Sequence, residues 1–384
     1  MIPIRSLWQV CLMLVLVSTT NMIGAHSPDP EPSQPTFENN PPAGGTVKIG
    51  LLIPDQHSLA AKQGAALAIR QANQAGGRWS FELVTRSCEG LWGAGSKESV
   101  SLVFEDNVVA IMGSLDGRNA HLAEQVATKT RIVFLSAWAT DMTLSKAFVP
   151  WYFRCIPNDR QQAASLAHEI YERKKYKKVA TIAMETYDAR LAASTFAKVI
   201  ASLGASAPGQ FSYDLPQSDL AEILASIEEQ GTEAIVLFGD QDFASEIIPA
   251  MRQRGMNQMI FGTLALTDGL KSTGPDWSTL EGVILVSPGH WFTDGGMAFQ
   301  QAFRKTFGYQ PGAAAAYAYD GINVILSVIR RAGTDRDRII EAFAETDYRS
   351  GITGKIRFDA KGNRAGDACL MTVRNGEPCM LKTE

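Results

Sequence analysis

The chain has 384 residues, of which 45% are hydrophobic and 20% charged, with a formal net charge of -4. This is the composition of a globular protein of one or two domains, and without a basic excess nucleic acid is not an expected partner. The five histidines are scattered and no Cys-x-x-Cys spacing occurs, so no zinc site is expected and no cofactor is called for.

Residues 1–25 carry one positive charge, Arg5, then an apolar run from Leu7 to Val17, then small and polar residues ending at Ala25. That pattern is a secretory signal peptide. The run is too short for a spanning helix, which needs about 20 apolar residues. Cys11 lies inside it and belongs to the discarded segment. Residues 26–45 are rich in Pro, Ser, Glu and Asn and lack apolar periodicity, so a disordered tether is expected.

From residue 46, apolar β-branched runs alternate with helical patterns. Strands are expected at Val47–Ile53, Phe81–Thr85, Val108–Gly113 and Arg131–Ser136. A break follows near Phe153–Pro157. A second series is expected at Lys178–Ala183, Gly209–Tyr213, Glu233–Phe238, Met259–Gly262 and Gly282–Val286. Between Leu59 and Gly76-Gly77, apolar residues recur at helical spacing. Strands apolar throughout and separated by helices indicate parallel sheets covered on both faces. After Val286 the pattern turns helical at Met297–Phe307, Ala313–Ala332 and Arg336–Ala344, and a β-hairpin follows with its turn at Asn375-Gly376.

The expected fold is therefore α/β: two doubly wound parallel-sheet lobes joined by a three-crossing hinge, with a ligand cleft between them. Residues 46–154 and 287–358 form one lobe, and 155–286 with 359–384 the other. Ligands of such sheets bind beyond the carboxyl ends of the strands. That selects the loops at 55–58, 87–93, 114–119, 137–141, 185–188, 240–243 and 263–268. Export permits disulfides, and Cys88, Cys155, Cys369 and Cys379 leave about three connectivities open. The hairpin turn would pair Thr372 with Cys379 and leave Cys369 out of register, so a Cys369–Cys379 bridge stays an open alternative. The basic run Glu172–Lys178 is expected to be a solvated surface.

The stretches "VKIGLLIP", "GAALAIRQANQAGG", "VVAIMGS", "RIVFLSAWATDMTLS", "YFRCIPNDRQQAASLA", "AYDGINVI" and "GKIRFDAKGN", in that order and spacing, resemble the type I periplasmic binding proteins. More closely, they resemble the branched-chain amino acid (leucine/isoleucine/valine-type) receptors of ABC transporters. The resemblance covers residues 46 to about 380. It implies a monomeric, non-enzymatic receptor in the periplasm. Such a receptor binds a small-molecule ligand between its lobes, closes on it, and delivers it to a membrane permease.

The site departs from the family. Amino-acid receptors hold the ligand carboxylate with a serine-rich loop at a helix start. Here that loop is "GSLDGRNA", with Ser114, Gly117 at the expected hydroxyl position, and Asp116 where a disulfide cysteine is usual. The N–H groups from Gly117 to Asn119 would still suit an anion, and Asp116 would oppose one unless it caps the helix. In the next loop, Thr140 matches a ligand-binding threonine. Trp138 replaces a small residue beside Ala139, and is either a cleft wall that shapes the ligand or a core residue. Tyr187 matches the tyrosine of the second lobe. Leu264 stands where amino-acid receptors use a glutamate for the ammonium group, which argues against an ordinary α-amino acid. A buried ammonium would need another acid. Asp242, next to Gln241, is the first substitute and Asp188 the second, with helix capping the alternative for both. His57 lines the cleft or is a solvated loop residue. His290-Trp291-Phe292 forms the cleft floor or packs the hinge, and Tyr317 and Tyr319 are expected in the core.

Neither a phosphate loop nor a nucleophile elbow is present. The expected function is a solute receptor of an ABC importer, binding a small solute that is amino-acid-like or aromatic/apolar with a polar end. The alternatives are a ligand-sensing regulatory receptor on the same fold, and an enzyme, for which no catalytic group is visible.

Overall fold

Uninterrupted runs of Val, Ile and Leu build strands buried on both faces, and the amphipathic segments between them cover those faces. The computed structural model describes residues 45–90, 93–214, 219–268 and 275–381. The expected leader (1–25) and all but the last residue of the expected tether lie outside the described residues.

In chain order the elements begin with β1 (Thr46–Ile53), α1 (Leu59–Ala75), β2 (Ser80–Ser87), α2 (Ala94–Phe104), β3 (Ala110–Gly113) and α3 (Gly117–Thr130). β4 (Val133–Ser136), β5 (Tyr152–Arg154), α4 (Asp159–Ala167), β6 (Val179–Met184), α5 (Tyr187–Ser202) and β7 (Gly209–Tyr213) follow. Then come α6 (Leu220–Glu229), β8 (Ala234–Phe238), α7 (Gln241–Gln253), β9 (Met259–Gly262) and β10 (Ile284–Val286). The chain ends with α8 (Met297–Phe307), α9 (Ala313–Ala332), α10 (Arg336–Ala344), β11 (Asp347–Tyr348), β12 (Ile356–Arg357), β13 (Leu370–Arg374) and β14 (Glu377–Met380).

The first sheet has strand order β2-β1-β3-β4-β5 and is parallel throughout. The second repeats that order as β7-β6-β8-β9-β10, and β13 and β14 extend it antiparallel beyond β10. Each half is thus a doubly wound lobe. The chain leaves the first sheet after β5 and returns after β10, where α9 packs on α1 and β3. It crosses again before β13. A Cβ on Gly64 of α1 would lie 2.1 Å from the Ala315 carbonyl oxygen, so only glycine lets α1 and α9 meet backbone to backbone.

The crossings are tied together by one side chain. Arg364 Nη1 donates to the Cys155 carbonyl at 2.8 Å, and Nη2 donates to the carbonyls of Thr353 at 2.8 Å and Lys355 at 3.1 Å. Beneath it, the fully buried Asp320 accepts from the Ile352 and Thr353 N–H groups and from the Thr353 hydroxyl.

One sequence expectation needs correction. The series does break at residues 153–157, where the chain leaves the first sheet, but the segment opens with a fifth strand of that sheet, β5, which was not expected. Its three residues include a buried Arg154, and a charged residue in so short a run hides a strand. The four described cysteines are unpaired. Thr372 does face Cys379 across the hairpin, which leaves Cys369 outside the ladder. The basic run at 172–178 is exposed except for the half-buried Tyr176. Among the described residues, no helix is long and apolar enough to cross a membrane.

Candidate functional site

In both sheets the strand order reverses between the first and third strands, and ligands of such sheets bind at that point. The loops after β1, β3 and β4 here face the loops after β6, β8 and β9. Two chambers of about 170 Å³ each lie between them. The inner chamber takes Trp138, Thr140, Asp159 and Gln162 from the first lobe and the crossing. The second lobe adds Met184, Asp188, Phe238, Asp240 and Leu264. The outer chamber is lined by Pro54, Ser58, Ser114, Asp268 and Ala314, among others. Trp138, Asp240 and Ala265 belong to both, so the indole is part of the partition between the chambers. It is half-buried and packs against the main core cluster.

Beside the inner chamber the lobes are latched. Gly117, the first residue of α3, donates its N–H to both carboxyl oxygens of Asp188, at 3.0 and 3.2 Å. Asp188 sits in the first turn of α5 in the other lobe. A Cβ on Gly117 would come within 2.7 Å of Asp188 Oδ1 and 3.0 Å of Tyr187 Cε1. The missing hydroxyl at this position is therefore explained by space for an internal carboxylate. Tyr187 completes the latch: its hydroxyl donates to Asp141 Oδ2 at 3.0 Å, and the Arg118 guanidinium lies 5.0 Å from its ring centre.

Charge is unevenly spread. Among the described residues, no lysine, arginine or histidine lines either chamber. Burial pushes Asp188 up to about 7, while the Gly117 N–H pulls the other way. Burial likewise raises Asp159 to about 6, resisted by a bond from Thr140. Asp268, in the outer chamber, is pushed by burial to about 7, and Asp240 is also raised by burial. Outside the chambers the balance inverts. Burial alone would raise Asp141, but bonds from His121, Thr143 and Tyr187 hold it down at about 2. His121 is raised to about 9 by its bonds to Asp141 and Glu124.

The residues singled out from the sequence are distributed as follows. Trp138, Thr140 and Leu264 line the inner chamber, and Ser114 the outer one. Ala139 is buried in the core behind the loop. Asp116 caps α3, accepting from the Asn119 N–H at 3.0 Å and from its side chain at 2.6 Å. Gly117 and Tyr187 serve the latch. Gln241 is buried, with its N–H on the Asp268 carbonyl. Asp242 is exposed in the first turn of α7 and lines neither chamber. His57 is exposed in a turn closed by Asp55. Trp291 is buried against Trp277 and Phe292, and Tyr317 is in the core.

Sequence reasoning missed Asp159 and Gln162, and selected the loop at 240–243 without singling out Asp240. Asp159 opens α4 behind the Asn158–Gln161 capping box, and an acid in a first helical turn reads as a dipole partner. Asp240 caps α7 by accepting from the Phe243 N–H at 2.9 Å, so its capping role masks its place on the chamber wall. Gln162 is buried, and its carbonyl oxygen accepts from the Leu264 N–H at 3.2 Å. The hydrophobic run of β8 ending at Gly239-Asp240 was the one available signal.

Residues 46–377 match the family described as periplasmic binding protein. The Leu/Ile/Val-binding protein homolog 2 of Brucella abortus is 24% identical over 83% of this chain and 89% of that protein. The branched-chain amino acid transporter substrate-binding protein LivJ of Streptococcus pneumoniae, solved with isoleucine, superposes with a TM-score of 0.74. It is 22% identical and covers 88% of this chain and 100% of that one. A solute-binding protein of an ABC transporter from R. palustris, solved with benzoate, superposes with a TM-score of 0.76 at 18% identity, covering 88% and 96% of the two chains. At these identities the solved structures establish the fold.

Proposed function

The chain belongs to the periplasmic binding protein family, and from that premise we propose that it is the extracytoplasmic solute-binding receptor of an ABC importer. It takes a small organic solute between its lobes and presents the closed form to a membrane permease. Residues 1–25 are the export leader in this reading, and the following Pro-rich segment a tether.

The observation that carries the reading is the pair of chambers at the strand-order reversals of both sheets, enclosed by loops from both lobes. A solute there touches both lobes, so it binds the closed form more tightly and shifts the equilibrium by that difference. Trp138, Phe238, Met184 and Leu264 supply the apolar walls, and Thr140, Gln162 and the carboxyls the polar contacts.

A thermal-shift screen tests it. The panel holds branched and aromatic amino acids, their amides, aromatic carboxylates, amines, alcohols and diols. A bound solute raises the melting temperature by mass action. Uptake of the hit by cells with and without the gene then separates transport from sensing. A panel in which no solute raises the melting temperature, or uptake unchanged by deletion, sinks the importer reading.

A further inference from the structure

We propose that the solute is a small organic cation, a primary ammonium on an apolar or aromatic body with no carboxylate of its own. The inference rests on the receptor reading above and specifies the chemistry of that same site.

Three observations converge. The inner chamber is walled by three carboxyls, Asp159, Asp188 and Asp240, and, among the described residues, by no basic side chain. Acid walls alone would be satisfied by water. Asp159, however, is only 4% exposed, and its Oδ2 has no hydrogen-bond partner. A buried carboxyl oxygen left without a donor is costly, and a ligand N–H is the group it lacks. The nearest buried cation does not supply it. Arg154 directs Nη1 at the carbonyls of Ala139 and Asp141, and it is in none of the described ion pairs.

The third observation concerns anions. The N-terminus of α3 is the anion-binding feature of this cleft, and the protein fills it with Asp188. A ligand carboxylate would have to expel that side chain and then lie against Asp159 and Asp240. A ligand ammonium meets acceptors on the chamber wall, among them the interacting pair Asp159 and Asp188, and neutralises charge that burial disfavours. The aromatic faces of Trp138 and Phe238, both on the wall, suit the same cation.

Titration calorimetry on the purified protein tests the inference with matched pairs: benzylamine against benzoate, and isoamylamine against 4-methylpentanoate, with leucine and phenylalanine as zwitterions. The amine of each pair should bind at least 100-fold tighter than its carboxylate. Asp159→Asn should weaken amine binding at least 30-fold. Asp240→Asn should weaken it at least tenfold while keeping the α7 cap, because Asn caps as well as Asp. Repeating the titration in buffers of different ionisation enthalpy should show net proton release near pH 6, as the ammonium displaces protons from the wall. Carboxylates or zwitterions binding more tightly than the amines would overturn the inference and leave the receptor reading standing. Amine binding unchanged in both variants would do the same. A panel with no binder at all would overturn both.

Discussion

The Asp188–Gly117 latch makes closure depend on a proton, and Asp188→Asn isolates that dependence. Asp188 belongs to the second lobe and Gly117 to the first, so parting the lobes returns the carboxyl to water. Its value then falls from about 7 toward the ordinary 3.8. A group that binds its proton more tightly in the closed form favours closure fully below the lower value and loses that contribution as pH rises through the higher one. Between pH 5 and 7 the closed-to-open ratio should drop about 50-fold, roughly 2.3 kcal/mol, and level off by pH 8. Asparagine is neutral at every pH and still offers the Gly117 N–H a carbonyl oxygen. The radius of gyration of the ligand-free protein, from small-angle scattering at pH 5, 6, 7 and 8, reads the change. The wild type should expand as pH rises from 5 to 7, and Asp188→Asn should stay compact with a much flatter profile. Superimposable profiles for the two proteins would refute the reasoning.

Trp138→Ala removes part of the partition and joins two chambers of about 170 Å³ each. Affinity for the best solute of the screen should change at least tenfold, about 1.4 kcal/mol, and bulkier analogues should gain relative to it. An unchanged affinity would place the indole outside binding. Thermal stability should be highest near pH 4 and decline toward pH 7. Burial raises Asp159, Asp188 and Asp268, so their contribution is full below 3.8 and declines through 6 to 7. His121, raised by Asp141 and Glu124, contributes below 6.5 and loses it as pH climbs through 9, whereas Asp141 contributes above 3.8 and loses it as pH falls through 2. A melting temperature that climbs from pH 6 to 9 would contradict this. Gly64→Ala drives a Cβ into the Ala315 carbonyl and should cost at least about 3 kcal/mol, lowering the melting temperature by about 4 °C or more. Calorimetry showing a loss under 1 °C would mean that α1 and α9 separate freely.

Periodicity reported strands and helices whose apolar residues recur at a regular spacing. Gly209–Tyr213 and Met259–Gly262 appear with the expected bounds, as do the three helices Met297–Phe307, Ala313–Ala332 and Arg336–Ala344. It could not report β5, where Arg154 sits inside the sheet edge with carbonyls as partners from residues 139 and 141. The site was legible as loops but not as side chains. Trp138, Thr140 and Leu264 stand on the chamber wall because the strands that carry them end there. The acids were misjudged by two positions: Asp242 follows the α7 cap into solvent, and Asp240, the cap itself, faces the chamber. Gly117 looked like a lost ligand contact. Its reason lies 71 positions further along the chain, in Asp188, and no local pattern connects the two.

The partition at Trp138 also sets how the cleft is hydrated. A space of about 170 Å³ holds several waters, since about 10–15 Å³ on the same measure is enough for one. Three carboxyls around the chamber hold such waters firmly, and an indole divides them from the outer pool. An apolar solute without donors would strip the carboxyls of solvent and give nothing back. Its transfer from bulk water would then gain little, however well its shape matched the walls.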